Sequence, residues 1–368
     1  MIHHPIEAIG SGFSIPGAFR SAIPYGSGHI NDTYAATYEH NGKTTRYILQ
    51  RINHLIFKNP AGLMENIDRV TRHQKARLLA EGVRDADRRA LTIIPSHDGR
   101  PCHVDAEGNT WRAYLFIENA RTYDAIEAPW QAREAARAFG RFAGELADLP
   151  GERLHETIPL FHHTPSRLAA LRTAIAEDRC GRVKEARPEI DFILEREATT
   201  RKLTDLLEAG QLPERITHND TKLNNVMIDE ATHEGICVID LDTVMPGLAL
   251  YDFGDMIRTA TCPRPEDELD LSLIRMEMPM FEAIVDGYLS TSHRFLTPLE
   301  RENLAFSGKL ITLEIGIRFL TDYLAGDTYF KIKRERHNLE RARTQLRLVT
   351  SIEVREDAMN AIVADWKP

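Results

Sequence analysis

The chain has 368 residues, of which 42% are hydrophobic, and its formal net charge is −9 at pH 7. This length is long for a single core and predicts two closely packed lobes. The acidic balance and the lack of a basic stripe argue against a nucleic-acid partner. No run approaches the ~20 apolar residues of a membrane helix, which argues against a membrane-spanning protein.

Targeting and cysteine patterns predict a cytoplasmic protein. The first residues, Met-Ile-His-His-Pro, lack the basic and then apolar regions of a signal peptide. The four cysteines are scattered without a CxxC spacing, which favours a reducing compartment and argues against a zinc site. Histidines are also dispersed, and the pairs at 3–4 and 162–163 are expected to be solvated rather than metal ligands.

The first elements in chain order predict an antiparallel sheet. Residues 1–24 are interrupted by glycine and proline, which predicts a surface run or a short helix. Strand-like segments follow at 30–38 and 44–52, and Asn41-Gly42 between them is typical of a hairpin turn.

A glycine-rich turn precedes the first of these strands. It contains Gly26, Ser27 and Gly28, and such a turn lets backbone N–H groups approach phosphates closely. Asn31 stands where a GxGxxG motif has its third glycine. These three residues are therefore candidates for covering the phosphates of a nucleotide.

The strand Arg46–Ile52 lies where kinases carry the lysine that grips the α- and β-phosphates. No lysine is present, and the candidates to replace it are Gln50 and Arg51. Strand alternation puts these two side chains on opposite faces, so that one of them points into the cleft. Arg51 is favoured because its guanidinium supplies charge through a forked donor.

The rest of the first lobe predicts one helix and two strands. Residues 60–80 have helical apolar periodicity, and Glu65 on this helix is a candidate to pair with the phosphate-gripping cation or is a surface carboxylate. Strands are predicted at about 91–95 and 110–117, with a polar turn between them.

From residue 130 the pattern becomes helical. Residues 130–149, 166–179 and 189–209 each predict one amphipathic helix. Further along, a helix is predicted around 271–290, and a longer one that Pro298 opens. The tail from 331 is charged and predicts one or two packing helices.

The segment after the third of these helices carries the strongest chemical signal. His218 is followed two residues on by Asp220, and Asn225 and Asp240 come five and twenty residues after that aspartate. Phosphoryl transfer requires a carboxylate that accepts the proton of the attacking hydroxyl, together with an amide oxygen and a second carboxylate that hold magnesium. Asp220 is the candidate base, Asn225 and Asp240 are the candidate magnesium ligands, and His218 is expected to brace the loop.

Two short strands explain how these side chains would meet. Residues 225–228 and 236–239 predict a hairpin, which would bring Asn225 and Asp240 together beside the loop of Asp220. Asp242 shares the strand face of Asp240 and is a candidate for the metal environment.

Asp252 lies in a Tyr-Asp-Phe-Gly-Asp segment before a predicted helix. The segment is similar to the Asp-Phe-Gly motif of protein kinases, but Asp240 already fills the metal position. Asp252 is therefore expected to be the N-cap of the helix that follows.

The long helix near the end carries a charged row beside its apolar face. Glu314, Arg318 and Asp322 are four residues apart and lie along one face, and Gly326 is the predicted stop. On spacing alone this row is expected to be a set of solvated salt bridges.

Several motifs together resemble those of a known family. His218-x-Asp220-x4-Asn225 followed by an apolar run and Asp240 looks like the catalytic loop and metal aspartate of the aminoglycoside phosphotransferase-like kinases, which include choline and homoserine kinases. The amino-acid sequences of five segments, in order along the chain, are most similar to those of the N-acetylhexosamine 1-kinases. These segments are 25–34, 218–227, 238–247, 251–255 and 314–329.

The resemblance implies a fold and a division of the chain. The fold is a bilobed α+β, protein-kinase-like one, with an N-terminal antiparallel β-sheet lobe at 1–119 and a mainly helical catalytic and substrate-binding lobe at 120–368. ATP and Mg2+ would bind between them, with Glu118 at the hinge that bonds adenine. Arg318 and Tyr329 would border the acceptor cleft and bind the sugar together with Asp220.

The implied reaction is ATP-dependent phosphorylation of the anomeric hydroxyl of N-acetylglucosamine or N-acetylgalactosamine, which gives the sugar 1-phosphate. The expected partners are thus a small sugar and ATP, and the sequence sets no oligomeric state. Two alternatives stay open. One is a kinase of the same fold for another small alcohol such as choline, homoserine or an aminoglycoside, and the other is a catalytically silent nucleotide-binding protein.

Overall fold

The structure is a computed structural model and describes residues 4–26 and 30–368. Within these ranges every helix is too short or too polar to cross a bilayer. The strands are β1 (Ala18–Pro24), β2 (Asp32–His40), β3 (Lys43–Arg51), β4 (Ile93–Ile94), β5 (His103–Val104), β6 (Thr110–Leu115), β7 (Ala120–Arg121), β8 (Arg215–Thr217), β9 (Val226–Asp229), β10 (Gly235–Val238) and β11 (Met245–Gly247).

The helices alternate with these strands early in the chain and follow one another later. They are α1 (Ile6–Gly10), α2 (Pro60–Ala80), α3 (Ala86–Arg89), α4 (Pro129–Glu145), α5 (Thr164–Glu177), α6 (Arg187–Leu194), α7 (Glu197–Glu208), α8 (Ala249–Ala260), α9 (Met278–Ser292), α10 (Pro298–Glu302), α11 (Leu304–Ala325), α12 (His337–Glu353) and α13 (Glu356–Asp365). The expected α+β composition, sheet first and helices after, is confirmed.

The chain forms two compact units. The first comprises residues 1–121, 148–159 and 227–245, and the second comprises residues 122–147, 160–226 and 246–368. The proposed lobe boundary at residues 119/120 stays a prediction.

The first unit is built on an antiparallel sheet in the order β1-β2-β3-β6-β4, with β5 also paired to β6. The predicted hairpin turn is confirmed, because Asn41 and Gly42 have positive φ angles of 50° and 73° and join β2 to β3. A separate sheet in the order β10-β9-β7 contains the predicted hairpin that precedes Asp240.

The N-terminal segment was only partly anticipated. A short helix does form, as α1, and its Ile6 and Ile9 pack with Trp111 in a core cluster against the sheet. The strand β1 was missed because its pattern of apolar residues is irregular, and its exposed and half-buried positions do not alternate strictly. Pairing with β2 over Ala18–Pro24 fixes this strand instead.

The second unit is organised around α11, which is buried along most of its 22 residues. It packs against α12, α8 and α5, while α4 packs against α9. Its predicted stop is confirmed, since Gly326 takes a left-handed φ of 97°.

Three predicted helices have different bounds from those expected. The helix at 189–209 is two helices, α6 and α7, that break where Arg196 leaves helical angles and pairs with Glu353. The helix opened by Pro298 is also two, α10 and α11, separated at Asn303. The helix expected from 271 starts at Met278, whose following proline suits the first turn.

Candidate functional site

The loop between β8 and β9 holds the candidate base beside the candidate amide ligand. The Asn225 side chain donates from Nδ2 to the carbonyl of Asp220 at 2.8 Å and to its Oδ2 at 3.2 Å. Lys222 approaches the same Oδ2 at 3.0 Å. Asp220 and Asn225 therefore come together within the second unit, with the Asn225 amide donating to Asp220 through Nδ2.

Helix α8 anchors this loop through two carboxylates. Asp252 accepts the backbone N–H groups of His218 at 2.9 Å and Asn219 at 2.7 Å. Asp255 accepts the N–H of Thr221 at 2.9 Å. These bonds hold the loop in shape although Asn219 has a positive φ of 64°.

The expectation that Asp252 is an N-cap is wrong. Helix α8 begins at Ala249 with Leu248 as its N-cap, so Asp252 lies inside the helix. Its carboxylate faces the loop after β8, whose N–H groups need a side-chain acceptor because they belong to neither a helix nor a sheet.

Electrostatics keep Asp220 ionised. Burial alone would raise the pKa of Asp220, but the charge and hydrogen bond of Lys222, with a contribution from Arg258, outweigh it and lower that pKa. His218 is fully buried, and its ring lies 5.3 Å from Phe139 and 5.9 Å from Phe142 between ring centroids. It is thus a packed core residue directly beneath the loop, as a bracing role requires.

A second buried histidine ties the loop to α11. The Nδ1 of His162 lies 2.7 Å from Oε1 of Glu314, and its Nε2 lies 3.2 Å from the carbonyl of Asn219. Thr164 donates to the other carboxylate oxygen at 2.6 Å. Both ring nitrogens thus face acceptor oxygens, so this arrangement needs a protonated imidazole with both nitrogens donating.

The expected solvation of His162 is therefore wrong, and the pKa directions agree with the hydrogen bonds. Burial alone would lower the pKa of His162, but the Glu314 carboxylate outweighs it and raises that pKa. Burial alone would raise the pKa of Glu314, but His162 lowers it. His162 and Glu314 thus form a buried ion pair that contacts the backbone of Asn219, the residue before Asp220.

The charged row on α11 is not a set of solvated salt bridges. Glu314 is fully buried, and Asp322 is 5% exposed. Asp322 accepts the backbone N–H groups of Thr328, Tyr329 and Phe330 at 2.9, 2.8 and 2.9 Å. The carboxylates of Glu314 and Asp322 are therefore hydrogen-bonded to groups other than Arg318, which lies between them on the helix.

Arg318 lies among aromatic rings. Its guanidinium carbon is 5.1 Å from the ring centroid of Phe161, 6.0 Å from that of Tyr329 and 5.7 Å from that of Phe330. The structure thus brings together the two predicted sugar-binding residues, Arg318 and Tyr329. Tyr329 is 60% exposed, so its hydroxyl is accessible to a ligand.

In the first unit, the candidate metal aspartate follows β10. Asp240 has a left-handed φ of 60°. Two residues on, Asp242 forms a buried ion pair with Arg112 and accepts a hydrogen bond from Nδ2 of Asn31 at 2.6 Å. Asp242 is thus held in place by Arg112 and Asn31.

Asn31, which precedes β2, belongs to the same network. Asn31 accepts the N–H of Asn53 at 3.0 Å through its side chain while it donates to Asp242. Gly26 has a φ of 83°, with open space where a Cβ would stand. Ser27 and Gly28 lie outside the described residues.

The two candidates for the phosphate clamp lie on opposite faces of β3, as alternation requires. Arg51 donates from Nε to Oδ2 of Asp32 at 2.7 Å, and His4 lies 3.2 Å from the same oxygen. Gln50 accepts from Nε of Arg112 at 2.9 Å. Arg51 is a cation paired with a carboxylate, and Gln50 is part of the Asp242 network.

Two further carboxylates have well-defined partners in the first unit. Glu65 on α2 is bonded to His155 at 2.9 Å rather than to Arg51. Glu118 accepts from Nε of Arg46 at 2.9 Å through its side chain, and its carbonyl accepts from Arg88 at 2.9 Å. Its predicted place at an adenine-binding hinge stays a prediction.

Arg112 was not anticipated from the sequence. It is 1% exposed, and while burial alone would lower its pKa, the carboxylates of Asp242 and Asp240 raise it. The available signal was a lone arginine between Trp111 and Ala113 in a predicted strand, because buried arginines need a partner.

The antiparallel sheet of the first unit and the helical second unit make the fold that of the protein-kinase-like small-molecule phosphotransferases. The model of the phosphotransferase enzyme family (APH) matches residues 21–283, and the chain belongs to this family.

Solved structures show the same fold at low identity. An aminoglycoside phosphotransferase from Alicyclobacillus acidocaldarius has a TM-score of 0.63 at 13% identity and covers 97% of this chain and 98% of that chain. Spectinomycin phosphotransferase, in complex with ADP and spectinomycin, has a TM-score of 0.53 at 13% identity over 93% and 94%. Choline kinase from Cryptosporidium parvum has a TM-score of 0.55 at 15% identity over 94% and 92%.

Proposed function

We propose that this phosphotransferase is a cytoplasmic, ATP-dependent kinase that phosphorylates the anomeric hydroxyl of N-acetylglucosamine or N-acetylgalactosamine. The product is the sugar 1-phosphate. The observation that carries the proposal is the loop in which Asn225 and Lys222 contact Asp220, while α8 fixes the backbone on either side. Its sequence, and that of the segments around it, resembles the N-acetylhexosamine 1-kinases.

Asp220 is the proposed base. Its lowered pKa keeps the carboxylate ionised at neutral pH, where it can orient the acceptor hydroxyl and take its proton. A fixed carboxylate and a bound acceptor provide most of what phosphoryl transfer needs from a protein, because the reaction depends on positioning and charge.

Asn225 and Asp240 are the proposed magnesium ligands, and their oxygens fit the ion. Magnesium is bound through one or two protein oxygens together with waters and substrate phosphates. Across residues 4–26 and 30–368, no group of three or more His, Cys, Asp or Glu side chains could hold a metal alone. An ion held partly by nucleotide phosphates fits this donor set, and when bound it would neutralise charge on those phosphates.

The nucleotide is ATP in this proposal. Gly26, Ser27 and Gly28 cover its phosphates, Arg51 grips them, and Glu118 lies at the adenine. The pairing of Arg51 with Asp32 supports the role of Arg51, since kinases hold their clamp lysine with a carboxylate in the same way. The known complex of spectinomycin phosphotransferase with ADP is of the same fold.

Arg318 and Tyr329 are the proposed sugar ligands. A planar guanidinium and a phenol suit sugar hydroxyls and an acetamido carbonyl. The aromatic rings near Arg318 also bear on the alternative acceptors. A choline or aminoglycoside cation that entered this cluster would meet the guanidinium, and like charges repel, which argues against cationic acceptors here.

The test is ADP release with Mg-ATP across a panel of acceptors, each run beside Asp220→Ala. The panel contains N-acetylglucosamine, N-acetylgalactosamine, glucose, galactose, choline, homoserine and kanamycin. We expect turnover on the N-acetylhexosamines that disappears in the variant. Turnover only on choline, homoserine or kanamycin would exclude the sugar assignment, and ATP binding without turnover would favour a silent nucleotide-binding protein.

A further inference from the structure

Helix α11 carries a cation whose expected counter-charges have other partners. On a helix, Arg318 would normally pair with carboxylates four residues away on either side. Glu314 instead bonds His162 and Thr164, and Asp322 binds the backbone of the 328–330 turn. Arg318 forms no hydrogen bond or salt bridge with any residue in the described part of the chain.

A second arginine lies beside it. Arg167 on α5 donates from Nη2 to the carbonyls of Leu160 at 3.0 Å and Phe161 at 2.7 Å. Its Nε is buried and has no hydrogen-bond partner within residues 4–26 and 30–368. The pKa of Arg167 is lowered first by burial and then by the charge of Arg318, so the two cations act on each other.

The surroundings of these arginines have the form of a binding surface. Leu160 is 55% exposed and has a left-handed φ of 54°, a conformation that costs energy in a residue with a side chain. Tyr329, whose ring lies near Arg318, is 60% exposed and stands on a turn that Asp322 holds through three backbone N–H groups. Strain, exposed apolar surface and a rigid turn therefore occur together around two arginines.

We infer that Arg318 and Arg167 form the binding site for an anionic group, a carboxylate or a phosphate, carried by the acceptor sugar. This inference rests on the proposed function and extends its substrate class from the neutral N-acetylhexosamines to their acidic derivatives. The Arg318 guanidinium, which makes no hydrogen bond or salt bridge within residues 4–26 and 30–368, and the unpartnered Nε of Arg167 offer donors that match both anions. The charge of Glu314 acts on both arginines, but its carboxylate oxygens are bonded to His162 and Thr164 rather than to either guanidinium.

The experiment compares N-acetylglucosamine with three derivatives that keep its anomeric hydroxyl: the 6-phosphate, the 6-carboxylate and the 3-O-lactyl ether. We expect at least one of them to exceed the neutral parent in kcat/KM by about tenfold or more, as a charge-assisted hydrogen bond allows. Which derivative does so distinguishes a phosphate from a carboxylate and locates the group on the ring.

Arg318→Gln and Arg167→Gln identify the source of that preference. Each should lower the ratio of acidic to neutral kcat/KM by about tenfold, whereas Arg318→Lys should restore part of it. Arg172→Gln is the matched control, because Arg172 lies on the same helix as Arg167 but pairs with Glu197 at the surface. If either arginine only supported the fold, its replacement would lower kcat/KM for the acidic and the neutral acceptor equally and would leave their ratio unaltered.

The outcomes separate this inference from the function on which it rests. Turnover of the neutral sugar with no acidic preference, or an unchanged ratio in both glutamine variants, overturns the inference alone. If no sugar is phosphorylated, the proposed function fails, and calorimetric titration of the acidic sugars decides the anion site. Binding to the wild type that is lost in Arg318→Gln supports the site, and no binding to the wild type rejects it.

Discussion

Asp220 is surrounded by positive charge, which sets both its protonation state and the effect of replacing it. Asp220→Asn keeps the shape of the side chain and its contact with Asn225 but cannot accept a proton. We expect kcat to fall by about 10²–10⁴-fold, the contribution typical of a positioned base, with nucleotide affinity little changed. Steady-state ADP release and nucleotide titration measure the two quantities. Asp205→Asn is the control, since Asp205 forms an exposed i,i+4 pair with Arg201, and a similar loss there would reject the assignment.

The cations around Asp220 also predict a pH dependence. The proposed base is the ionised form of Asp220, so we expect activity to fall as pH decreases through the pKa of Asp220, which lies below its ordinary value of 3.8. Lys222→Gln removes one of the charges that lower this pKa, and the acid limb of the kcat/KM profile should therefore move to higher pH. Lys43→Gln, at the exposed end of β3, should leave the limb in place. If the acid limb of the kcat/KM profile stays in place in Lys222→Gln, a group other than Asp220 controls that limb.

Single residues also mark where sequence reasoning ends. Asp220, Asn225 and Asp240 could be singled out because their types and spacing repeat a known chemical pattern. Arg112 could not be paired with Asp242 from the sequence, since the two are 130 residues apart and only the folded sheet makes them neighbours. Asp252 was misassigned for the same reason. Its partners, the N–H groups of His218 and Asn219, lie 34 and 33 residues before it.

At the scale of an element, the helix α8 that anchors the loop lies very close to α11 at Gly254. A Cβ added to Gly254 would lie 2.4 Å from the carbonyl oxygen of Ser307, whereas one added to Gly144 on α4 would make an ordinary 3.5 Å contact with Phe295. Gly254→Ala should therefore destabilise the protein by about 1–3 kcal/mol, as overpacking does.

Gly144→Ala is the matched control for that substitution. Alanine is favoured over glycine inside a helix by about 0.5–1 kcal/mol, so this change should be neutral or stabilising. Urea unfolding of both variants measures the difference. Equal effects at the two sites would show that the distance between α8 and α11 is not what selects glycine at 254.

The buried pair of His162 and Glu314 joins α11 to the loop and gives a stability that depends on pH. The raised pKa of His162 lies above 6.5, so its contribution is complete below pH 6.5 and is lost as pH rises through the raised pKa. The lowered pKa of Glu314 lies below 4.5, so its contribution is complete above pH 4.5 and is lost as pH falls through the lowered pKa. Both contributions are present together between pH 4.5 and 6.5.

His162→Gln should therefore cost most within that window. Breaking a buried ion pair costs about 3–5 kcal/mol, and we expect a loss of this order at pH 6 that becomes smaller at pH 9. Urea unfolding at both pH values measures it. Arg172→Gln, which breaks an exposed pair with Glu197, should cost less than about 1 kcal/mol at either pH. A loss that did not vary with pH would mean that His162 is neutral in the folded protein.

For the molecule as a whole, the sequence predicted the architecture better than the limits of its elements. The β2–β3 hairpin and α2 could be predicted because Asn41-Gly42 and a regular apolar stripe are local signals. The breaks between α6 and α7 and between α10 and α11 occur without glycine or proline at Arg196 and Asn303, where tertiary contacts decide. The same holds for β1, which depends on pairing with β2.

The proposed nucleotide and magnesium sites predict how ligands stabilise the folded chain. A ligand that binds only the native state stabilises it by about 2.7 kcal/mol at a hundredfold excess over its dissociation constant. We expect a non-hydrolysable ATP analogue to raise the melting temperature of the wild type more with magnesium than with a chelator. In Asp240→Asn the magnesium-dependent part should disappear while the nucleotide-dependent part stays, because the variant removes a charged oxygen ligand without removing the phosphate contacts. Thermal melts of both proteins with the analogue, with and without magnesium, measure these parts, and Asp205→Asn should behave as the wild type. A magnesium increment that survives in Asp240→Asn would reject Asp240 as a ligand and leave the nucleotide site itself standing.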